Sequence, residues 1–340
     1  MNNYLIGIMT GTSADSLDGC IVNFEKDVDL IETAQIDLGT EYKDKYEECI
    51  RLGFKEVGES SELSEVEKTL NEKTIELVEA LINKSKISSK SISLIAFSGQ
   101  TVFHTYDKSY QIGNSQKIAD MTGINVCSNF RNYDINQGGM GAPLIPPFHK
   151  YLYAEKNKNK LIFNIGGISN GTYLMGTQIE IASDVGPGNC LIDMFVKKYF
   201  NLPYDFDGKI ASDGDINDIL INKLLLDTKN MTYPRADDKN DYYKLIDENF
   251  LGVAPKDIIR TLTEFTAIKI KDFYDYCECP SEIIFHGGGA KNSYLMEVIS
   301  KNLNSNIRTT DSEIDSKFVE ATAFAYLAYL ERGEIYFSKS

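Results

Sequence analysis

The 340-residue sequence contains no tryptophan and only three histidines, and no apolar run reaches the length of a membrane span. His104, His149 and His286 are far apart in the sequence, so a histidine-based metal centre is not expected. Basic residues are also scarce, because 35 Lys and Arg stand against 50 Asp and Glu and leave a net charge of −15. Nucleic acids are bound through clustered Lys and Arg, so neither a nucleic acid nor a membrane is an expected partner. A nucleotide needs only a local site and remains compatible with this charge.

The cysteines do not form a disulfide or zinc pattern. Six are present, and only Cys277 and Cys279 are close together, with a spacing that suits zinc poorly. Reduced thiols in a cytoplasmic protein are the simpler interpretation. The first residues, 1–3, carry no basic side chain, and the first apolar run is broken by Gly7, so no secretory leader is predicted.

The length and the alternation of apolar segments predict an α/β chain of two domains. The sequence is 42% hydrophobic and 25% charged, which is enough apolar material for a globular core. A flexible polar stretch at 137–143 suits a junction between domains. The predicted division assigns residues 1–130 and a C-terminal helical segment 315–340 to domain I, and 131–314 to domain II.

Hydrophobic spacing predicts the main elements. Helices are expected over 63–82, 115–122, 190–200, 215–226, 256–276, 293–303 and 319–331. Strands are expected over 5–9, 20–24, 92–97, 161–165, 172–175 and 282–286. Residues 229–249 are polar and charged, which predicts a surface loop or a mobile lid.

The first strand runs into a turn of glycine, hydroxyl and carboxylate residues, 10–19, before the second strand. Backbone N–H groups and hydroxyls at a tight hairpin tip favour a phosphate ligand, although a polar turn without a ligand has the same composition. The neighbouring carboxylates of Asp15 and Asp18 could hold a metal or a sugar hydroxyl.

A second hairpin, with its turn at 166–171, repeats this plan about half a chain later and indicates a possible internal duplication. A glycine run, Gly287–Gly289, follows a late strand. Two hairpins could clamp the phosphates of ATP, and the glycine run could lie flat against the adenosine. This arrangement resembles the sugar kinase, Hsp70 and actin superfamily. The resemblance implies two ribonuclease-H-like domains with a nucleotide cleft between them.

An ordered series of motifs makes the chain similar to the anhydro-N-acetylmuramic acid kinase family. They are Gly11, Thr12 and Ser13 with Asp15 and Asp18; Gly99, Gln100 and Thr101 with His104; Gln111–Gly113; Phe130 and Arg131 with Asp134 and Gly138–Leu144; Asn164–Asn170; Asp184 with Gly186–Asn189; Gly287–Asn292; and Glu320–Ala325.

The resemblance implies a kinase that uses ATP and Mg²⁺ to open a 1,6-anhydro sugar by hydrolysis and to phosphorylate O6, in cell-wall sugar recycling. Asp184 is then the general base, although an Asp at this position could instead cap the helix that follows. The resemblance also implies that Glu320 contacts the metal through a water molecule. Alternatively, Glu320 is a glutamate in the first turn of a helix, where the helix dipole favours a negative charge. Arg131 would pair with the substrate carboxylate or form a surface salt bridge.

The remaining implied roles fall into two sets. Nucleotide binding is assigned to Gly11, Thr12, Ser13, Asn164, Gly166, Gly167, Gly287, Gly288, Gly289 and Asn292. Binding of the small anhydrosugar is assigned to Asp15, Asp18, Gln100, Arg131, Gly186 and Asn189. A homodimer is expected from the family.

Several positions depart from the family pattern and keep two alternatives open. They are Ser16, Ser98, Asn129, Met140, Val185 and the stretch 232–241. Some lie in segments expected to face the sugar, so a kinase of another anhydrosugar, such as levoglucosan, is one alternative. A non-catalytic nucleotide-binding regulator on the same fold is the other.

Overall fold

The computed structural model describes residues 3–11, 13–56, 58–105 and 107–339. The chain divides into two compact units. Unit 1 comprises Met1–Phe148 and Phe318–Ser340, and unit 2 comprises His149–Lys317. The boundaries therefore follow residues 148 and 317, where the sequence division placed them after 130 and 314.

Unit 1 begins with a β-meander and returns to its sheet with the C-terminal elements. Its strands are β1 (Tyr4–Thr10), β2 (Ser16–Asn23), β3 (Asp29–Asp37), β4 (Ile92–Phe97), β5 (Gln100–His104), β6 (Ser109–Ile112) and β7 (Val126–Ser128). Its helices are α1 (Thr40–Arg51), α2 (Ser61–Ser85), α3 (Ser115–Thr122) and α4 (Phe130–Asn136), and α5 (Pro146–Tyr153) crosses the boundary.

Unit 2 continues with β8 (Asn159–Ile165), β9 (Ile168–Met175), β10 (Gln178–Pro187), β11 (Glu282–His286) and β12 (Ile307–Thr309). Its helices are α6 (Cys190–Phe200), α7 (Lys209–Ser212), α8 (Asp218–Thr228), α9 (Lys239–Tyr243), α10 (Pro255–Tyr276) and α11 (Ser293–Leu303). The chain then re-enters unit 1 with α12 (Val319–Tyr329) and β13 (Glu334–Tyr336).

Five strands of the unit 1 sheet correspond in order to the five strands of the unit 2 sheet, and β13 is an additional edge strand of unit 1. In unit 1 the order is β13-β7-β4-β1-β2-β3, and in unit 2 it is β12-β11-β8-β9-β10. Strand directions also agree, since β1–β2–β3 and β8–β9–β10 are antiparallel while β4 and β11 lie parallel to the first strand of each meander. The hypothesis of an internal duplication predicts this correspondence.

Both hairpin turns are shorter than the composition suggests. Ser16 and Asp18 belong to β2, where Asp18 pairs with Met9, so the first turn spans only residues 11–15. Ser169 and Asn170 likewise belong to β9, which leaves Gly166 and Gly167 as the second turn. The sequence-based turns were too long because β2 and β9 begin with short polar residues, and these residue types are also common in turns.

The helix predicted over 63–82 is observed as α2, and its ends have local causes. The Ser60 side chain accepts a hydrogen bond from the N–H of Leu63 at 2.9 Å, which satisfies one of the unpaired donors of the first turn. Lys86 ends the helix in the left-handed conformation. The apolar face of α2 packs on the unit 1 sheet, where Leu70 and Leu77 are fully buried.

On unit 1, α12 approaches β1 so closely that a side chain would not fit. A Cβ atom at Gly7 would lie 2.0 Å from the carbonyl oxygen of Ala321. In unit 2 the core lies around Phe163, Phe273 and Phe285, with α10 and α11 packed on the sheet. None of the helices in the described ranges combines the length and hydropathy of a membrane span.

Candidate functional site

The turn between β1 and β2 is held by Gln100, the first residue of β5. The side-chain N–H of Gln100 donates to the carbonyl oxygen of Gly11 at 3.1 Å, and its Oε1 accepts from Thr10 Oγ1 at 2.8 Å. The same Gly11 carbonyl accepts the N–H of Ala14. Gln100 is only 1% exposed, so its amide fixes the shape of the turn. Thr12, one of the predicted phosphate contacts, lies outside the described residues.

The predicted acidic residues of unit 1 occupy different environments. Asp15 is exposed and forms a 2.5 Å ion pair with Lys43 of α1. Asp18 is half-buried within β2 and accepts a hydrogen bond from Ser16 Oγ at 3.5 Å. Glu320 lies in the first turn of α12. Within the part of the chain that the structure describes, no three His, Cys, Asp or Glu side chains are grouped as a metal site.

Arg131 connects α4 to the loop after it. Its Nη1 donates to the carbonyl oxygen of Gly141 at 2.9 Å, while Asp134 accepts the N–H of Gly141 at 2.8 Å. These two bonds fold the glycine-rich stretch 138–144 back onto the helix.

In unit 2, the β8–β9 turn supports the start of α6. The carbonyl oxygen of Gly166 accepts the N–H of Asn189 at 2.8 Å, and that of Gly167 accepts the N–H of Gly188 at 2.9 Å. The Asn189 side chain also donates to Gly166 at 3.1 Å. A Cβ atom at Gly188 would lie 2.2 Å from the Gly166 oxygen, so glycine is required for this contact.

The glycine run follows β11 and packs beside the same turn. A Cβ atom at Gly287 would lie 2.2 Å from Asn164 Oδ1, and one at Gly289 would lie 2.3 Å from Ile165 Cγ2. A Cβ atom at Gly288 would have no neighbour within 4 Å among the described residues, apart from the adjoining chain. Gly287 and Gly289 are therefore packed against β8, whereas Gly288 borders open space that a ligand could use.

Asn292, which ends the last nucleotide motif, serves as the N-cap of α11. Its Oδ1 accepts the N–H of Leu295 at 3.0 Å. The structure thus brings together Asn164, Gly166, Gly167, Asn189 and Gly287–Gly289 in unit 2. The side-chain oxygen of Asn292 is engaged in capping α11.

Asp184 lies at an irregularity in β10. The register of β10 against β9 shifts between Asp184 and Gly186, and such bulges redirect side chains. Asp184 is 7% exposed, and its Oδ2 accepts the N–H of Asp237 at 2.8 Å. The N-cap residue of α6 is Asn189, so Asp184 does not cap this helix. Gly186 faces Lys269 of α10, where a Cβ would lie 2.6 Å from the lysine Cβ.

Sequence reasoning missed the residues next to Asp184. The prediction of a surface loop over 229–249 is wrong at Arg235, which is 8% exposed, and at Tyr242, which is fully buried. Arg235 Nε donates to both carboxylate oxygens of Asp237, at 3.0 and 2.9 Å, and the Tyr242 hydroxyl donates to the same carboxylate. A segment rich in charged residues is usually exposed to solvent, so the composition of 229–249 did not predict this buried network.

Tyr242 stays protonated in this setting. Burial and the negative charge of Asp237 both raise the pKa of Tyr242 above its usual range. The phenol therefore remains a hydrogen-bond donor at any physiological pH.

Two histidines, also missed, form a buried pair just before the glycine run. His149 of α5 and His286 of β11 are 0% exposed, and their Nε2 atoms lie 2.8 Å apart. His149 Nδ1 lies 2.8 Å from Thr172 Oγ1 of β9. Burial lowers the pKa of both rings, so the pair is neutral and one ring donates to the other.

Two solved structures share this fold. Component A of the (R)-2-hydroxyglutaryl-CoA dehydratase of Acidaminococcus fermentans aligns with a TM-score of 0.54 and 10% identity, covering 97% of this chain and 99% of its own. The activator of the 2-hydroxyisocaproyl-CoA dehydratase of Clostridium difficile, solved with bound ADPNP, gives 0.53 and 13%, covering 97% and 95%. The prediction of an α/β chain with the sugar kinase/Hsp70/actin fold is confirmed.

Sequence comparison gives a closer relationship. The anhydro-N-acetylmuramic acid kinase of Haemophilus influenzae is 32% identical over 349 aligned positions, which cover 96% of this chain and 91% of the relative. The enzyme of the same name from Aliivibrio fischeri is 35% identical over 341 positions, covering 95% and 91%. Residues 3–335 match the sequence model of the anhydro-N-acetylmuramic acid kinase family. The family predicted from the motifs is confirmed, and the chain belongs to the anhydro-N-acetylmuramic acid kinase family.

Proposed function

We propose that this chain is an ATP-dependent kinase that opens the 1,6-anhydro bond of anhydro-N-acetylmuramic acid and phosphorylates O6. The observation that carries the proposal is the family match over residues 3–335, nearly the full chain. The curated relatives of that name align over at least nine-tenths of their own length. The product would be N-acetylmuramic acid 6-phosphate, an intermediate of cell-wall sugar recycling.

Asp184 is proposed as the general base. It would take a proton from a water molecule while the water oxygen forms a bond to the anomeric carbon. The bond from that carbon to O6 breaks, and O6 attacks the γ-phosphorus of ATP as ADP leaves. The burial of Asp184 and its hydrogen bond from Asp237 support this role, because a base must be held within reach of its water.

Nucleotide contacts are proposed for the turns of each unit. In unit 2 these are the β8–β9 turn at Gly166 and Gly167 and the glycine run, in which Gly288 has open space beside it. In unit 1 they are Gly11 and Ser13 of the turn held by Gln100. Asn164 and Asn292 of unit 2 and Thr12 of unit 1 are the remaining nucleotide-binding residues of the proposal.

Mg²⁺ is proposed to enter with ATP, where it supplies positive charge next to the phosphates. Magnesium is usually bound by one or two carboxylates together with phosphate oxygens and water, so a three-carboxylate cluster is not needed. Glu320, in the first turn of α12, is the proposed carboxylate and would hold a metal-bound water. The proposal also includes anhydrosugar contacts from Asp15, Asp18, Gln100, Arg131, Gly186 and Asn189.

The decisive variant is Asp184→Asn. Loss of a general base lowers kcat by roughly 10²–10⁴-fold, so ADP release with the anhydrosugar should fall by that factor. Asp205→Asn is a matched control, because Asp205 is a buried carboxylate of unit 2 that accepts the N–H groups of Ile210 and Ala211 at 2.9 Å. Activity of Asp184→Asn within a few-fold of the parent would remove Asp184 from the mechanism.

The substrate is tested separately with a panel of anhydrosugars, ATP and Mg²⁺. ADP release and a 6-phosphate product are expected with anhydro-N-acetylmuramic acid. Turnover of levoglucosan instead would identify another anhydrosugar kinase, and no turnover of any sugar would indicate a nucleotide-binding regulator. A cytoplasmic homodimer is part of the proposal, and sedimentation velocity would test the dimer.

A further inference from the structure

Residues 235–237 run along the outer edge of β10, beside Asp184. Strand β10 is the last strand of the unit 2 sheet. The N–H of Asp184 donates to the carbonyl oxygen of Arg235 at 2.9 Å, and the N–H of Arg235 donates to Ser183 Oγ at 2.9 Å. The third bond, from the N–H of Asp237, reaches the Asp184 carboxylate itself at 2.8 Å. One backbone bond and two bonds to side chains thus hold this segment against β10, and the last of them ends on the side chain proposed as the base.

The side chains of this segment are fixed by a buried network. Asp237 accepts both from Arg235 and from Tyr242, and the side chains of Arg235 and Asp237 are only 9% and 11% exposed. Tyr242 belongs to a buried apolar cluster that also contains Phe195 and Phe250. Charged hydrogen bonds in such low-dielectric surroundings are strong and directional. The position of the Asp237 backbone is therefore set by its own carboxylate.

We propose that Arg235, Asp237 and Tyr242, called here the Asp237 brace, act as positioning residues that orient the Asp184 carboxylate. The proposal rests on the proposed function, in which Asp184 is the base. The brace holds the Asp237 N–H on Oδ2 and so limits rotation of the carboxylate. A displacement of about 1 Å in a reacting group can cost up to 10²-fold in rate, so this restraint has a kinetic consequence.

The mildest test is Tyr242→Phe, which keeps the buried ring and removes one donor to Asp237. We expect kcat to fall by about tenfold while KM for ATP stays within about twofold, because no nucleotide contact changes. Tyr173→Phe is the matched control, since Tyr173 is 4% exposed in the same unit and its hydroxyl accepts a hydrogen bond from Asn159 at 3.2 Å, away from Asp237. The control should keep the parental kcat with a comparable melting temperature.

A double variant separates positioning from general stabilisation. If the brace acts through Asp184, Tyr242→Phe should cause no further loss of kcat in an Asp184→Asn background. Arg235→Lys, which keeps a positive charge but loses the guanidinium geometry, should behave in the same non-additive way. Two results would overturn the proposal: a kcat of Tyr242→Phe within twofold of the parent, or full additivity with Asp184→Asn. Failure of the proposed function would look different, since Asp184→Asn alone would then retain activity.

Discussion

Acidification should destabilise unit 2 through its buried histidine pair. Burial lowers the pKa of His286 to about 3 and, together with the neighbouring His286 ring, lowers the pKa of His149 well below its usual range. In the unfolded chain both rings are solvated and titrate near 6.5. Below about pH 6.5 the unfolded state therefore binds protons that the folded state does not bind.

The size of the effect follows from linkage. Stability begins to fall as the pH drops through 6.5, and the contribution of His286 stops falling below about pH 3. Each pH unit within this window costs about 1.4 kcal/mol for His286, so at pH 5.0 the loss from this ring is about 2 kcal/mol. His149 adds a loss of the same sign.

The assay is urea unfolding followed by far-ultraviolet circular dichroism, because the chain has no tryptophan to report on unfolding. His286→Gln removes one titrating ring and leaves an amide near the position of Nε2. Between pH 7.5 and 5.0, the parent should lose about 2 kcal/mol more free energy of unfolding than this variant. Thr172→Val removes a partner of His149 but no titrating group, and it should keep the parental pH dependence. Equal pH dependence of parent and His286→Gln would refute the reasoning.

Three further substitutions test the turns. Gly288→Ala should leave the melting temperature unchanged, because the added methyl group would meet no neighbouring atom of the described residues. It should raise KM for ATP, because the methyl group would occupy space proposed for the nucleotide. Gly289→Ala should cost about 1–3 kcal/mol by overpacking against Ile165, so loss of stability in Gly288→Ala, or its absence in Gly289→Ala, would contradict the packing. Gln100→Ala should cost about 1–3 kcal/mol in urea unfolding, because Thr10 Oγ1 then loses its buried acceptor. An unchanged unfolding midpoint would show that the turn does not depend on this amide.

Elements with strong periodic patterns were predictable from the sequence. The helix predicted over 63–82 is observed as α2, slightly longer at both ends, and the strand predicted over 92–97 is observed as β4 with the same bounds. The buried residues of α2 recur at helical spacing, and β4 is a nearly continuous apolar run, so neither pattern needs information from distant residues. The fold followed from the order of these elements and from the motifs, and it is confirmed.

Hairpin turns were less predictable because composition does not fix register. Ser16 and Asp18 have turn-forming side chains, yet both belong to β2. Pairing with β1 and β3 determines that assignment, and pairing depends on residues up to about twenty positions away. Asp18 is consequently a strand residue, paired with Met9 of β1 and Gln35 of β3, and is not part of the hairpin tip.

The surroundings of Asp184 could not be derived from the sequence, since the residues that hold it are 53 positions away. The contact is made by a backbone N–H, which every residue but proline possesses, so no residue type marks it. What the sequence does offer is an arginine and an aspartate two positions apart, a pair that solvent-exposed loops also contain. Burial is what distinguishes the two cases, because an arginine 8% exposed must keep its partner, whereas an exposed one need not. The departure of 232–241 from the family pattern is therefore compatible with retention of the base, provided that the replacement residues still fix the N–H that meets Asp184.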